Sequence, residues 1–181
     1  MIKIVTEGGA SAREYVKLLK ERNREAGLKV ENAVAEILDT VRRDGDSAVR
    51  MYAGRFDGGA PESLELPRDQ VEALAEKADP LFVESLKKAA ANIRDFHERQ
   101  KQQSWLTTRE DGVLMGQRIR GLSRVGLYVP GGTAAYPSAV LVNAIPAKIA
   151  GVGELIMATP VKGGKANPDI MAAALVAGVD R

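Results

Sequence analysis

Cysteine is absent from this 181-residue sequence, and histidine occurs once, at His97. Without cysteine no disulfide can form, and nothing indicates an oxidising compartment. Zinc in proteins takes three or four ligands, mostly from Cys, His and carboxylates, so a zinc site complete within this chain is disfavoured. Aromatic residues make up only 4% of the chain, which leaves Ala, Val, Leu and Ile to fill a core. Net charge is nearly missing too: 26 Lys and Arg stand against 24 Asp and Glu, a balance of +2. That is too small to mark a nucleic-acid partner. The charged clusters KLLKERNREAGLK and VRRDGD mix both signs and read as solvated helix faces. No apolar run approaches the roughly 20 residues of a membrane span, and MIKIVTEGG is too short and polar for a signal peptide. These absences predict a soluble cytoplasmic protein that binds neither nucleic acid nor membrane.

What is present is an ordinary globular composition, 45% apolar and 28% charged, long enough for one well-buried domain or two small lobes. After a short apolar start at Ile2 to Val5, Ser11 and Glu14 form a capping-box pair. Tyr15, Leu18 and Leu19 follow at helical spacing, and Gly27 reads as a stop. A second helix places Val30, Val34, Ile37, Leu38 and Val41 on one face and ends at Arg42, Arg43 and Gly45. A shorter helix covers Ser47 to Arg55, the Gly- and Pro-rich FDGGAPESLELP is a loop, and a fourth helix spans Asp69 to Ala78. Asp79 and Pro80 cap a long fifth helix with Phe82, Leu86, Ala89, Ile93 and Phe96 as its stripe.

From Ser104 the period shortens. SWLTTRE and GVLMGQRI, joined by Asp111 and Gly112, read as a hairpin. Then RVGLYVP reads as a buried strand, PSAVLVNAIPAKIAG as a helix, ELIMATP as a second strand and NPDIMAAALVAG as a second helix. The last has Asn167 as N-cap, Pro168 at its first position and Gly178 beyond its end. The fold class is therefore α/β: a helical N-terminal region, 1–103, followed by a Rossmann-like, incomplete parallel βαβα unit, 104–181. In that series a third strand is due after Gly178, so the unit is expected to be cut short at its C-terminal end. A cut sheet leaves an unpaired strand edge, which predicts a dimer or a strand exchange.

The stretch VGLYVPGGTAAYPSAV joins strand to helix through Gly131 and Gly132. Such a joint aims backbone N–H groups and a helix N-terminus at one point, as an anion site does, and lets a ligand approach closely. The dinucleotide fingerprint GxGxxG is missing, as is an acidic residue about 20 positions on. The spacing therefore admits a plain tight turn as well, and weighs toward it. Tyr128 likewise reads as a strand aromatic or as part of a site.

Elsewhere the structural readings outweigh the functional ones. His97 sits at the edge of a packed helical stripe, and Asp44 and Asp46 lie solvated in a turn. Pro146 interrupts a helix and frees the carbonyl of Val142. Asn143, one turn earlier, needs a partner if buried, either that carbonyl or a ligand.

The stretch VGLYVPGGTAAYPSAVLVNAIPAKIAGVGELIMATP closely resembles the corresponding part of histidinol dehydrogenase. ANIRDFHERQ and GQRIRGLSRVGLYVPGG upstream, and NPDIMAAALVAGVDR downstream, resemble that family in order and spacing. The resemblance implies a homodimeric enzyme dependent on NAD and zinc. Such an enzyme oxidises L-histidinol to L-histidine by two hydride transfers through an aldehyde, late in histidine biosynthesis. It also implies that Tyr128 contacts NAD, with Pro130, Gly131 and Gly132 beside that contact, and that Ser138 faces the substrate and cofactor cleft.

Family members are considerably longer than this chain. By the resemblance, their acid–base glutamate and histidine and their zinc ligands lie beyond its last residue, so it assigns no catalytic and no metal-ligating residue here. The expectation is an N-terminal part of such an enzyme, inactive by itself. The alternative is a stand-alone nucleotide-binding or assembly module, which predicts measurable NAD affinity.

Overall fold

No proline precedes Pro61, and two helices occupy most of the described residues before it: α1 spans Ala10–Asp44 and α2 spans Asp46–Phe56. The computed structural model describes residues 10–59, 62–131, 135–161, 163 and 165–181. The short apolar start at Ile2 to Val5 lies outside the described residues, as does the Ser11 side chain of the expected capping box.

Gly27 does not end a helix. It lies inside the single 35-residue α1, and its φ is not positive. Glycine in a helix interior costs only about 1 kcal/mol relative to alanine, which the helix formers around it offset. The stop falls instead at Gly45, whose φ of 59° takes the left-handed turn between α1 and α2. Arg42 and Arg43 stand in the last turn of α1, where the dipole favours cations.

The chain divides into two compact units, Met1–Val49 and Arg50–Arg181. In the first, Val30, Val34 and Leu38 of the α1 stripe are exposed, while Ile37 and Val41 are half-buried.

The second unit holds the core. It contains α3 (Arg68–Ala75) and α4 (Pro80–Glu98). Asp79 caps α4 by accepting a bond from the Leu81 N–H at 2.8 Å. Leu86 and Ala90 are buried on α4, and Phe82, Val83, Ala89 and Ile93 pack beside them. Phe96, expected in that stripe, is 60% exposed, because the helix extends past the core at its C-terminal end.

The hairpin forms as expected, with β1 (Trp105–Thr108) antiparallel to β2 (Leu114–Gln117). Gly112, at φ 81°, makes its turn, and Asp111 accepts a bond from the Val113 N–H.

Then β3 (Arg124–Tyr128), α5 (Pro137–Ile149), β4 (Glu154–Ala158) and α6 (Pro168–Ala177) follow in βαβα order. Strands β3 and β4 are parallel, in register from Arg124 with Glu154 to Tyr128 with Ala158. β3 is not the buried strand expected: Val125 and Leu127 face the core, and Arg124, Gly126 and Tyr128 are exposed. Its other face meets no layer among the described residues, so the pleat alternates between core and solvent.

Helix α6 is apolar nearly all round, and Ile170, Met171, Ala172, Ala173 and Ala174 are all buried. It packs among α3, α4 and α5, and its small alanines permit that close approach. Val129, Leu141, Ile145, Leu155 and Ile170 are almost wholly excluded from water, each contributing about 1.5–3 kcal/mol by burial.

After Gly178 the chain turns onto β4. The Asp180 and Arg181 N–H groups donate to the Leu155 carbonyl, and the Met157 N–H donates to the Arg181 carbonyl at 2.7 Å. Glu154 and Ala158 bond toward β3, so these rungs lie on the opposite edge, where the next strand was due. Among the described residues no helix is long and apolar enough to cross a membrane.

Candidate functional site

Parallel pairing brings the C-terminal ends of β3 and β4 side by side, and in open α/β sheets ligands bind at such ends. Tyr128 stands opposite Ala158. The next residue, Val129, is fully buried and donates its N–H to the Ala158 carbonyl at 2.9 Å. The chain is thus anchored just past a Tyr128 side chain that is 69% exposed. Pro130 is exposed and Gly131 half-buried, and Ser138 is exposed in the first turn of α5. Gly132 lies outside the described residues.

Gly131 is explained by proximity. A methyl group on its Cα would stand 2.8 Å from Thr159 Oγ1, 3.1 Å from the Pro160 carbonyl oxygen and 3.3 Å from Ile170 Cδ1. Its φ is not positive, so the need is for space rather than for a left-handed turn. Nothing local in the sequence marks Thr159 for this role. The only signal is the strand register, which sets the residue after Ala158 beside the residues after Tyr128. The Thr159 hydroxyl is buried without a hydrogen-bond partner among the described residues.

At the far side of the joint, Tyr136 occupies the N-cap position of α5 without a side-chain cap, and Pro137 opens the helix. The exposed ring of Tyr128 and the closely approached Gly131 backbone stand at the end of β3, and the uncapped start of α5 follows after three residues outside the described ones. An exposed aromatic face beside a helix N-terminus suits a ligand with a planar base and an anionic group.

The other singled-out residues lie elsewhere or act locally. His97 Nδ1 is hydrogen-bonded to Gln100 Oε1 at 2.7 Å, on α4. Asn143 is exposed and donates from Nδ2 to the Ala139 carbonyl at 2.7 Å, not to the carbonyl that Pro146 frees. α5 continues through Pro146 without a break. An open groove of about 370 Å³ runs along the hairpin, lined by Ser104, Trp105, Leu106, Gly116, Gln117 and Arg118. No residue of the joint lines it.

Charge perturbation gathers at the opposite, N-terminal end of the sheet. Hydrogen bonding from Arg124 holds the Glu154 carboxyl below its ordinary range, and Arg181 does the same for Glu65. Asp180 is lowered by Lys148, whose Nζ lies 2.6 Å away, and by the Leu155 N–H at 2.7 Å. The Asp180 and Arg181 pairs fasten the residues after Gly178 to α5, β4 and the loop before α3, and the Arg124–Glu154 pair ties β3 to β4; they do not mark a reaction centre. Among the described residues no group of three or more His, Asp or Glu side chains is placed to hold a metal ion, so the residues present do not fit zinc.

A family profile described as Histidinol dehydrogenase matches residues 20–181. The chain is 42% identical over 182 residues to the histidinol dehydrogenase of Clostridium acetobutylicum, covering 100% of this chain and 42% of that one. It is 46% identical over 160 residues to the Listeria monocytogenes enzyme of the same name, covering 88% of this chain and 38% of that one. The crystal structure of histidinol dehydrogenase from Elizabethkingia anophelis superposes with a TM-score of 0.77 at 28% identity, over 83% of this chain and 35% of that one. The chain thus spans less than half the length of these relatives.

Proposed function

The chain belongs to the histidinol dehydrogenase family, and from that premise we propose that its glycine joint is the NAD-facing wall of a histidinol-oxidising site. The whole reaction is the NAD-dependent conversion of L-histidinol to L-histidine through the aldehyde, in the cytoplasm and in a homodimer. In this reading residues 1–103 are the helical region and 104–181 the α/β region that holds the cofactor. The observation that carries the reading is Tyr128: a large aromatic ring left 69% exposed at the C-terminal end of a parallel strand, beside the closely approached Gly131.

Each residue has a definite task. Tyr128 supplies a face for a planar ring of NAD, and the Pro130, Gly131 and Gly132 turn lets the dinucleotide lie against the backbone. Ser138 offers a hydroxyl toward the substrate. Zinc, when bound, would polarise the alcohol for deprotonation, and its ligands are supplied from outside this chain, as are the acid and base. The chain by itself therefore orients cofactor but does not oxidise histidinol.

Two measurements test this. Calorimetric titration of NAD into the purified chain should show weak, saturable binding that Tyr128→Ala removes; binding unchanged in that variant refutes the assignment. Production of NADH from L-histidinol by the chain alone, with zinc and NAD added, would refute its inactivity. Tight NAD binding without turnover would favour a stand-alone nucleotide-binding module.

A further inference from the structure

The β1–β2 hairpin carries an apolar surface that its own unit does not use. All eight strand residues are exposed, among them Leu106 at 68%, Leu114 at 61% and Trp105 at 53%. None of these belongs to the hydrophobic core or to the side chains packed against it. The register puts Leu106 and Leu114 diagonally on one face and Trp105 and Met115 diagonally on the other, within side-chain reach of each other. The base of the ribbon is tied by Ser104, whose hydroxyl accepts from the Ile119 N–H and donates to the Ile119 carbonyl.

A two-stranded ribbon apolar on both faces is marginal in water and gains by taking another strand or layer. Gly116, opposite Leu106, is closed by its cross-strand neighbours, since a Cβ there would stand 2.8 Å from Leu106 Cδ1 and against the Trp105 carbonyl, and the groove of about 370 Å³ opens beside it. Arg118 lines the same groove, with no ion-pair partner among the described residues. The surface calls for an extended segment with apolar residues at alternate positions and a carboxylate to meet Arg118.

We propose that this hairpin is the docking site for such a segment from the part of a histidinol dehydrogenase that this sequence does not span. The length on the page supports that occupant: relatives sharing this sequence and fold run to more than twice what the chain covers, 42% of one and 35% of another. The proposal rests on the family reading but not on the cofactor role of the joint, which lies elsewhere on the unit.

The test is co-expression of this chain with a tagged polypeptide comprising the uncovered remainder of the Clostridium acetobutylicum enzyme. Three results are expected: co-purification, a blue shift of Trp105, which is the chain's one tryptophan, and slowed amide exchange at 105–108 and 114–117. Leu106→Lys with Leu114→Lys, or Arg118→Glu, should weaken the complex about tenfold or more, with the melting temperature of the chain unchanged.

A complex that leaves Trp105 and these amides as exposed as before overturns the proposal while leaving the family reading intact. A shielded hairpin without histidinol oxidation sinks the activity and keeps the docking site. A Trp105 shift that depends on the concentration of the chain alone points to a second copy as occupant and overturns the proposal. Failure to co-purify counts against it as well, and amide exchange on the intact Clostridium enzyme checks that result. There the matching hairpin must be protected for the proposal to stand.

Discussion

Gly131 and Thr159 lie 28 residues apart in the chain, yet a methyl group on the Gly131 Cα would sit 2.8 Å from the Thr159 hydroxyl oxygen. The contact holds the loop after β3 against the loop after β4, and it makes opposite predictions for its two members. Gly131→Ala should destabilise the chain by about 1–3 kcal/mol, since the added carbon overpacks a site closed by the Thr159 hydroxyl, the Pro160 carbonyl and the Ile170 side chain. Thr159→Val should be neutral or slightly stabilising, because it removes a buried hydroxyl that has no partner among the described residues. Urea denaturation of both variants checks this; a strongly destabilised Thr159→Val would mean that the hydroxyl has a partner, such as an ordered water.

Tyr128 and Leu155 separate function from stability. Tyr128 is largely exposed and Leu155 wholly buried. Tyr128→Ala should leave stability within about 0.5 kcal/mol of the parent while abolishing the NAD heat. Leu155→Ala should cost about 2–5 kcal/mol through the cavity it leaves. Unfolding curves recorded beside NAD titrations distinguish the two effects. A Tyr128→Ala chain that unfolds much more easily would make the ring structural.

The two ends of α6 are each held by one residue. The Asn167 side chain accepts from the Asp169 and Ile170 N–H groups at 2.9 and 3.3 Å, and Gly178 closes the helix at φ 78°. Asn167→Ala should cost about 1 kcal/mol, and Gly178→Ala about 1–2 kcal/mol, because a Cβ is strained in the left-handed region. The sites are distant enough for the double variant to show the sum. Thermal melts of the three variants check both the costs and their additivity.

Acid should loosen the fastening of residues 179–181. Asp180, Glu154 and Glu65 all titrate below their ordinary values of 3.8 and 4.5 because Lys148, Arg124 and Arg181 bond to the ionised forms. A depressed carboxylate contributes stability above its unfolded pKa, and that stability is lost as pH falls through the folded value. The stabilisation is therefore complete at neutral pH and declines once pH drops below about 4.5. Each pair has at least one member open to solvent, so salt should shrink the effect. Denaturation midpoints between neutral and acid pH should fall less steeply in Asp180→Asn. An unchanged profile would deny the Lys148 pair a role.

Helix ends were legible wherever a residue's own chemistry sets them. Asp79 and Asn167 cap as their side chains predict, and Gly45, Gly112 and Gly178 take the positive φ that only glycine adopts freely. Gly27 misled because glycine permits a stop without enforcing one. The exposure of Phe96, and the alternation along β3, depended on where neighbouring elements end, which periodicity within one segment does not report.

Local sequence thus determined the order of helices and strands, the hairpin, the caps of α4 and α6 and, through the stretch from Val125 to Pro160, the family resemblance. Those signals act between residues a few positions apart, where sterics and hydrogen-bond geometry suffice. Only the tertiary structure decided why Gly131 must be glycine, that Thr159 belongs to the joint, and that the hairpin is left uncovered among the described residues. Each depends on which surfaces meet across about 30 residues or more, and that is settled by strand register and by what the core has room to bury.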